Sequence, residues 1–106
     1  MALELRPAHD PTKAYGFMGC VVSVKDLSGS IWLWYRDGDK WAIRKVIEIP
    51  AEPADPSLLP PMLKGFGAVP PLITDIKVSL DDKFLYVSCW GTGEMRQYDV
   101  SDPHNP

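Results

Sequence analysis

Residues 79–102 constrain the fold of this 106-residue chain more than any others. Ser79-Leu80-Asp81-Asp82-Lys83 is turn-forming, because Asp side chains bond nearby backbone amides. Phe84-Leu85-Tyr86-Val87-Ser88-Cys89 follows, a short aromatic and β-branched run of strand character. Gly91-Thr92-Gly93 turns the chain again, Glu94 to Val100 supplies another strand, and Ser101-Asp102-Pro103 ends it. Short strands joined by tight turns must pair as an antiparallel meander, and such a meander has to cover its apolar face with something.

The pattern occurs twice. Leu3 to Phe17, set beside Ile73 to Val87, repeats strand, Asp-containing turn, Lys and aromatic strand. Both second strands reach a cysteine, Cys20 and Cys89. Both third strands end in a charged turn, at Arg36-Asp37-Gly38-Asp39 and at Asp99-Val100-Ser101-Asp102. The first copy continues into a fourth strand, Lys40 to Ile49, and the second stops where its fourth would begin. Repeats of four antiparallel strands are the signature of a β-propeller. The reading is therefore all-β, about one and three-quarter blades: residues 1–49 one blade, 50–71 a Pro-rich inter-blade loop, 72–106 an incomplete second blade. A repeat that contacts only its neighbours leaves apolar faces bare when isolated, so the expectation is a piece of a larger protein. The alternative is a complete antiparallel sandwich of six or seven strands. The missing last strand and the long insertion weigh against it.

Tyr15 to Ser23 is almost wholly apolar, as suits a strand covered on both faces. In Ser30 to Arg36, Ile31, Leu33 and Tyr35 alternate with Trp32 and Trp34. Asp37-Gly38-Asp39 is a hairpin turn, since Asp-Gly supplies positive φ. In Lys40 to Ile49, period-2 alternation places Trp41, Ile43, Lys45, Ile47 and Ile49 on one face. The 50–71 segment is irregular, with one helical turn expected near Asp55 to Leu59. Loops of this length are usually functional or drape over a neighbour.

Net charge is −3 with both signs interspersed, and no basic stripe suggests a nucleic-acid partner. No apolar run approaches the roughly 18 residues of a membrane span. The N-terminus lacks the basic start and apolar core of a signal peptide. Cys20 and Cys89 sit in apolar runs and read as buried free thiols. No CxxC, HExxH or Ser-His-Asp arrangement is present. Gly91-Thr92-Gly93 has no helix after it and is a turn, not a phosphate loop.

The strings Arg6-Pro7-Ala8-His9-Asp10-Pro11, Gly16-Phe17-Met18-Gly19-Cys20, Trp41 with Lys45-Val46-Ile47, Leu58-Leu59-Pro60, and above all the stretch from Leu72-Ile73-Thr74-Asp75-Ile76 through Asp99-Val100-Ser101-Asp102-Pro103 resemble the selenium-binding protein family, whose members include methanethiol oxidases. The resemblance runs over essentially the whole chain and over a middle portion of the family's protein. It implies a seven-bladed propeller, a cytoplasmic location, binding of selenium, and copper-dependent oxidation of methanethiol to hydrogen sulfide, formaldehyde and hydrogen peroxide. A selenium-carrying or protein-binding propeller without chemistry is the alternative, as is a genuine short product acting as an interaction piece. The partners implied are a small thiol and the remaining blades.

His9 is the candidate metal residue. The repeat places it where an innermost strand, lining the central channel, hands over to the next. Imidazole there suits copper, with other ligands coming from other blades; the competing reading is a histidine that caps the Asp10-Pro11 turn. His104 falls in an outer turn and is expected to be solvated. Cys20 and Cys89 are the candidate selenium-binding thiols, against which burial in apolar strands counts, because it keeps a thiol protonated. Asp75, Asp81 and Asp82 look like an acidic cluster but read better as turn residues. Trp32, Trp34, Trp41 and Trp90 are expected to pack between blades.

Overall fold

The computed structural model describes residues 1–106. β1 (Ala2–Pro7), β2 (Tyr15–Cys20), β3 (Gly29–Asp37) and β4 (Lys40–Ile49) form one antiparallel sheet in chain order. Asp37 pairs with Lys40 to close the β3–β4 hairpin, and Gly38 carries its positive φ of 65°. β5 (Glu52–Pro53) and β6 (Ala68–Val69) pair as a short clasp across the Pro-rich segment. Between them lie a 3-10 turn at Pro56–Leu58 and a single helical turn, α1 (Pro61–Lys64). The Asp55 carboxylate caps the first of these by accepting the Ser57 N–H. The expected helical turn is thus present, and β5 with β6 closes the excursion at its base.

β7 (Ile73–Val78), β8 (Phe84–Cys89) and β9 (Glu94–Asp99) form the second antiparallel sheet, again in chain order. Four strands and three give the all-β, one-and-three-quarter-blade architecture. The sheets face one another, with β1 and β7 side by side. The core lies between them: Phe17, Ile31, Leu33, Ile47 and Ile49 from the first sheet meet Ile73, Ile76, Val78, Leu85, Val87 and Cys89 from the second. Burying one such aliphatic or aromatic side chain is worth about 1.5–3 kcal/mol relative to leaving it in water. Strand alternation then sends the intervening residues to the outer faces.

Two details depart from the sequence reading. A register irregularity between Ile31 and Trp32 leaves Val46 unpaired opposite β3. Such a bulge inserts one residue and exchanges the faces beyond it. Ile47 and Ile49 are therefore buried between the sheets, while Trp41, Ile43 and Lys45 are exposed.

The repeat is also offset differently from the simple sequence alignment. Ladder register equates Pro7 with Val78 and Gly16 with Leu85, a separation of 71 residues in the first strand and 69 in the second. The β1–β2 turn is two residues longer than its counterpart, which a gapless comparison of residues 3–17 with 73–87 cannot accommodate.

None of the four tryptophans belongs to the core between these two sheets. Trp32 and Trp34 are half-buried on the first sheet's other face, and Trp41 and Trp90 are exposed. In β3 it is Ile31 and Leu33 that point to the second sheet, so the alternation leaves the indoles on the far side.

Candidate functional site

The expected metal residue, His9, lies in the turn after β1, and that turn is held against the β7–β8 turn. Asp82 makes the connection. It sits at a left-handed φ of 61°, is 3% exposed, and aims its carboxylate at the other sheet. Its two oxygens accept the backbone N–H groups of His9 at 2.8 Å and Asp10 at 3.0 Å. Hydrogen bonds to an ionised acceptor are about twice as strong as neutral ones. Val78 O accepts from Nε2 of His9 at 3.0 Å. A carbonyl can only accept, so Nε2 carries the proton and Nδ1 is the ring's available lone pair in the neutral state. Metal-binding histidines commonly have one nitrogen held in this way, with the other free to coordinate.

The remaining groups around His9 are already engaged. Asp10 accepts from the Thr12 N–H at 2.9 Å and the Thr12 hydroxyl at 2.7 Å, which hold its carboxyl below the usual value. The Tyr15 hydroxyl is pushed up, first by burial and then by the carboxylates of Asp82 and Asp10. Arg6, one strand turn away, joins the inner strands. Its Nε donates to Ile76 O at 3.0 Å, and its guanidinium meets Glu4 at 2.9 Å and Asp75 at 3.5 Å. Nothing local marked Asp82 or Arg6 as connectors, since their partners lie about 70 residues distant.

The other candidates separate. Of the acidic trio, only Asp81 behaves as a plain turn residue: it accepts from the Ser79 hydroxyl at 2.6 Å and the Lys83 N–H at 3.1 Å, and both lower its pKa. Asp82 departs from the expected local role. Cys89 is fully buried between the sheets, and burial pushes its thiol up. Cys20 is half-buried on the first sheet's other face, beside Met18 and Trp32. Both cysteines are free and lie in different sheets, Cys89 facing the space between the sheets and Cys20 facing away from it. His104 does not stand in solvent as expected. Its ring packs edge-on against Tyr35, with centroids 4.6 Å apart, so the end of the second copy rests on the first sheet. No three His, Cys, Asp or Glu side chains gather as a metal-binding group. One imidazole nitrogen is what the His9 turn offers to copper, and it does not by itself fit a complete copper shell.

Two sheets that repeat one ladder register, with their innermost strands adjacent, define a β-propeller. The sequence matches the family described as 56 kDa selenium binding protein over residues 1–106. Methanethiol oxidases of Xenopus tropicalis and Homo sapiens are each 46% identical over 98% of this chain. Mouse selenium-binding protein 2 is 43% identical over the same share. The X-ray structure of a hypothetical selenium-binding protein from Sulfolobus tokodaii superposes over the whole chain with a TM-score of 0.95 at 66% identity. The chain belongs to the selenium-binding protein family. It spans 20% of the length of these oxidase relatives and 23% of the Sulfolobus chain. No helix is long and apolar enough to cross a membrane.

Proposed function

We propose that these residues are part of a longer selenium-binding propeller that oxidises methanethiol in the cytoplasm. In that reaction methanethiol, dioxygen and water, in equal amounts, give hydrogen sulfide, formaldehyde and hydrogen peroxide. The methyl carbon loses two electrons, dioxygen accepts them as peroxide, and the C–S bond breaks with sulfur leaving as hydrogen sulfide; water supplies the oxygen of formaldehyde. What supports this is continuous similarity to proteins named methanethiol oxidase, 43–46% identical over 98% of the chain. In this reading residues 1–49 and 72–106 are neighbouring blades of seven and 50–71 is the loop joining them.

Copper, when bound, would supply the one-electron steps that dioxygen requires. His9 would contribute one ligand, Nδ1, presented by the Val78 hydrogen bond and the Asp82 clamp, and other blades would complete the set. Cys89 would not carry selenium, because it is closed off and its thiol stays protonated. A second reading is a selenium carrier without turnover. Its support is the name of the mouse relative, which states selenium binding and no reaction.

The test is to purify the complete protein, measure copper by mass spectrometry, and assay methanethiol loss together with sulfide and peroxide formation. Stoichiometric copper with turnover supports the oxidase. Selenium retained without turnover supports the carrier.

A further inference from the structure

The repeat puts unlike residues at two equivalent positions of its third strands. Ladder register equates Ser30 and Trp32 of β3 with Glu94 and Arg96 of β9. In β3 the pair satisfies itself, because the Trp32 indole N–H donates to the Ser30 hydroxyl at 2.9 Å. In β9 it does not. Arg96 Nε is buried and has no hydrogen-bond partner. The same guanidinium meets the two Glu94 carboxylate oxygens only at 3.5 Å, longer than an ordinary N–H···O bond. The Tyr98 hydroxyl is the first cause of a raised Arg96 pKa, yet it leaves Nε unpaired. Buried donors are nearly always paired, so this one calls for an acceptor.

Arg96 and Glu94 line a cleft of about 350 Å³, a size at the lower end for small-ligand sites. Ile49 to Pro53, the chain leaving β4, and Pro71, just ahead of β7, complete it. Both sheets that bound it are in the structure, and neither fills it. Its charges are two acids, Glu52 and Glu94, and one base, Arg96. Glu52 makes no ion pair, and Glu94 accepts from the Thr92 hydroxyl at 2.9 Å. Pro50, Pro53 and Pro71 have no N–H to give. The cleft therefore offers carboxylates to a cation and one buried N–H to an anion, beside the apolar surface of Ile49 and the proline rings.

We infer that this cleft binds a free α-amino acid with a small apolar side chain, its carboxylate accepting from Arg96 Nε and its ammonium facing Glu52 and Glu94. A carboxylate alone would meet two acids with one base. An amine alone would leave Nε unpaired. A zwitterion answers both. The cleft stands at the start of β7, whereas His9 bonds Val78 at its end, about 17 Å along the strand. It is thus separate from the His9 turn, and the inference stands whether or not the complete protein turns over methanethiol.

The experiment is isothermal titration calorimetry of the complete protein with L-valine, isovalerate and isobutylamine. The last two are valine without its ammonium and valine without its carboxylate. The expected result is saturable binding of L-valine, about tenfold or more tighter than either analogue, the scale of one charge-assisted hydrogen bond. Arg96→Gln and Glu94→Gln are each expected to weaken valine by about tenfold or more. The Glu94 side chain is 43% exposed, so its variant reads the site even where Arg96→Gln does not fold. Isovalerate bound as tightly as valine would overturn the inference, since the site would then take any carboxylate. Isobutylamine bound as tightly would overturn it too, since the acids alone would then be the site. No valine binding, or valine binding unchanged in both variants, would also overturn it.

Discussion

The Asp82 carboxylate and the His9 backbone N–H, 73 residues apart in sequence, meet at 2.8 Å across the two sheets. The second carboxylate oxygen takes the next amide, that of Asp10. One acid in one turn thus fixes the height and tilt of the neighbouring turn that carries His9. The apolar core holds the sheets together without direction, and this hydrogen-bonded pair supplies the direction.

Removing that carboxylate leaves two amides short of an acceptor. Asp82→Ala is expected to lower the unfolding free energy by about 3 kcal/mol, the scale for losing hydrogen bonds to a buried charged group. Asp82→Asn retains one acceptor oxygen and tolerates the left-handed φ, so it should lose about half as much. Urea unfolding of the complete protein should rank the three as wild type, Asn, Ala. Equal stability for Ala and wild type would mean that the clamp contributes nothing net.

Much of this arrangement is legible in the sequence, and the limits have identifiable causes. The seven long strands and the Gly38 turn follow from alternation and turn chemistry, which are local. The face of Ile47 and Ile49 does not, because period 2 predicts faces only until a bulge, and nothing at Val46 announces one. The Asp82 clamp and the Tyr35–His104 contact join residues about 70 positions apart. His9 could be placed at a strand exit from the repeat alone, but the nitrogen it presents depends on Val78 O, which only the fold brings to it.

Cys89 should leave a mark on alkaline stability. Burial raises its folded pKa above the ordinary 9.0, so the folded state holds the proton that the unfolded chain releases. The contribution is complete below pH 9.0 and is lost as pH rises above it towards the folded value. Cys89→Ala cannot release that proton. Its melting temperature will start lower because of the cavity, yet fall less steeply between about pH 8 and 10 than that of the wild type. Parallel pH profiles for the two proteins would show that Cys89 has no part in the dependence.

The turn carboxylates act at the other end of the scale. Asp81 is held below 3.8 by the Ser79 hydroxyl first and then by the Lys83 N–H. Asp10 is held below it by Thr12 in the same manner. A lowered folded pKa gives stability that is present above 3.8 and lost as pH falls through the folded value. Ser79→Ala should therefore make the unfolding midpoint less sensitive to pH between about 4 and 2, as read by circular dichroism at fixed urea.

Gly91 is fixed by what surrounds it. A Cβ there would run into Pro70 O and stand 3.1 Å from Pro71 O, and its own N–H donates to Pro71 O at 2.8 Å. Backbone atoms cannot rotate aside as a side chain can, so Gly91→Ala should cost about 3 kcal/mol, the upper end for overpacking. Gly38→Ala provides the comparison: it has open space around it but a φ of 65°, so its cost is conformational only, about 1 kcal/mol. A Gly91 variant no worse than the Gly38 variant would mean that the 70–72 segment packed against Gly91 can yield.

The role of His9 can be separated from its position by choosing the replacement. Glutamine can donate an amide N–H towards Val78 O, as Nε2 does, but offers an amide oxygen, a poorer copper ligand, in place of the imidazole Nδ1. If His9 serves as a ligand, His9→Gln in the complete protein will keep its melting temperature and lose copper, and His9→Ala will lose copper with a further drop of about 1 kcal/mol for the missing hydrogen bond. If the ring only braces the turn, Gln will match the wild type in both stability and copper content, and Ala will differ in stability alone. Measuring copper per chain and the melting temperature on the same three preparations decides between the two roles, because each predicts a different quantity to move.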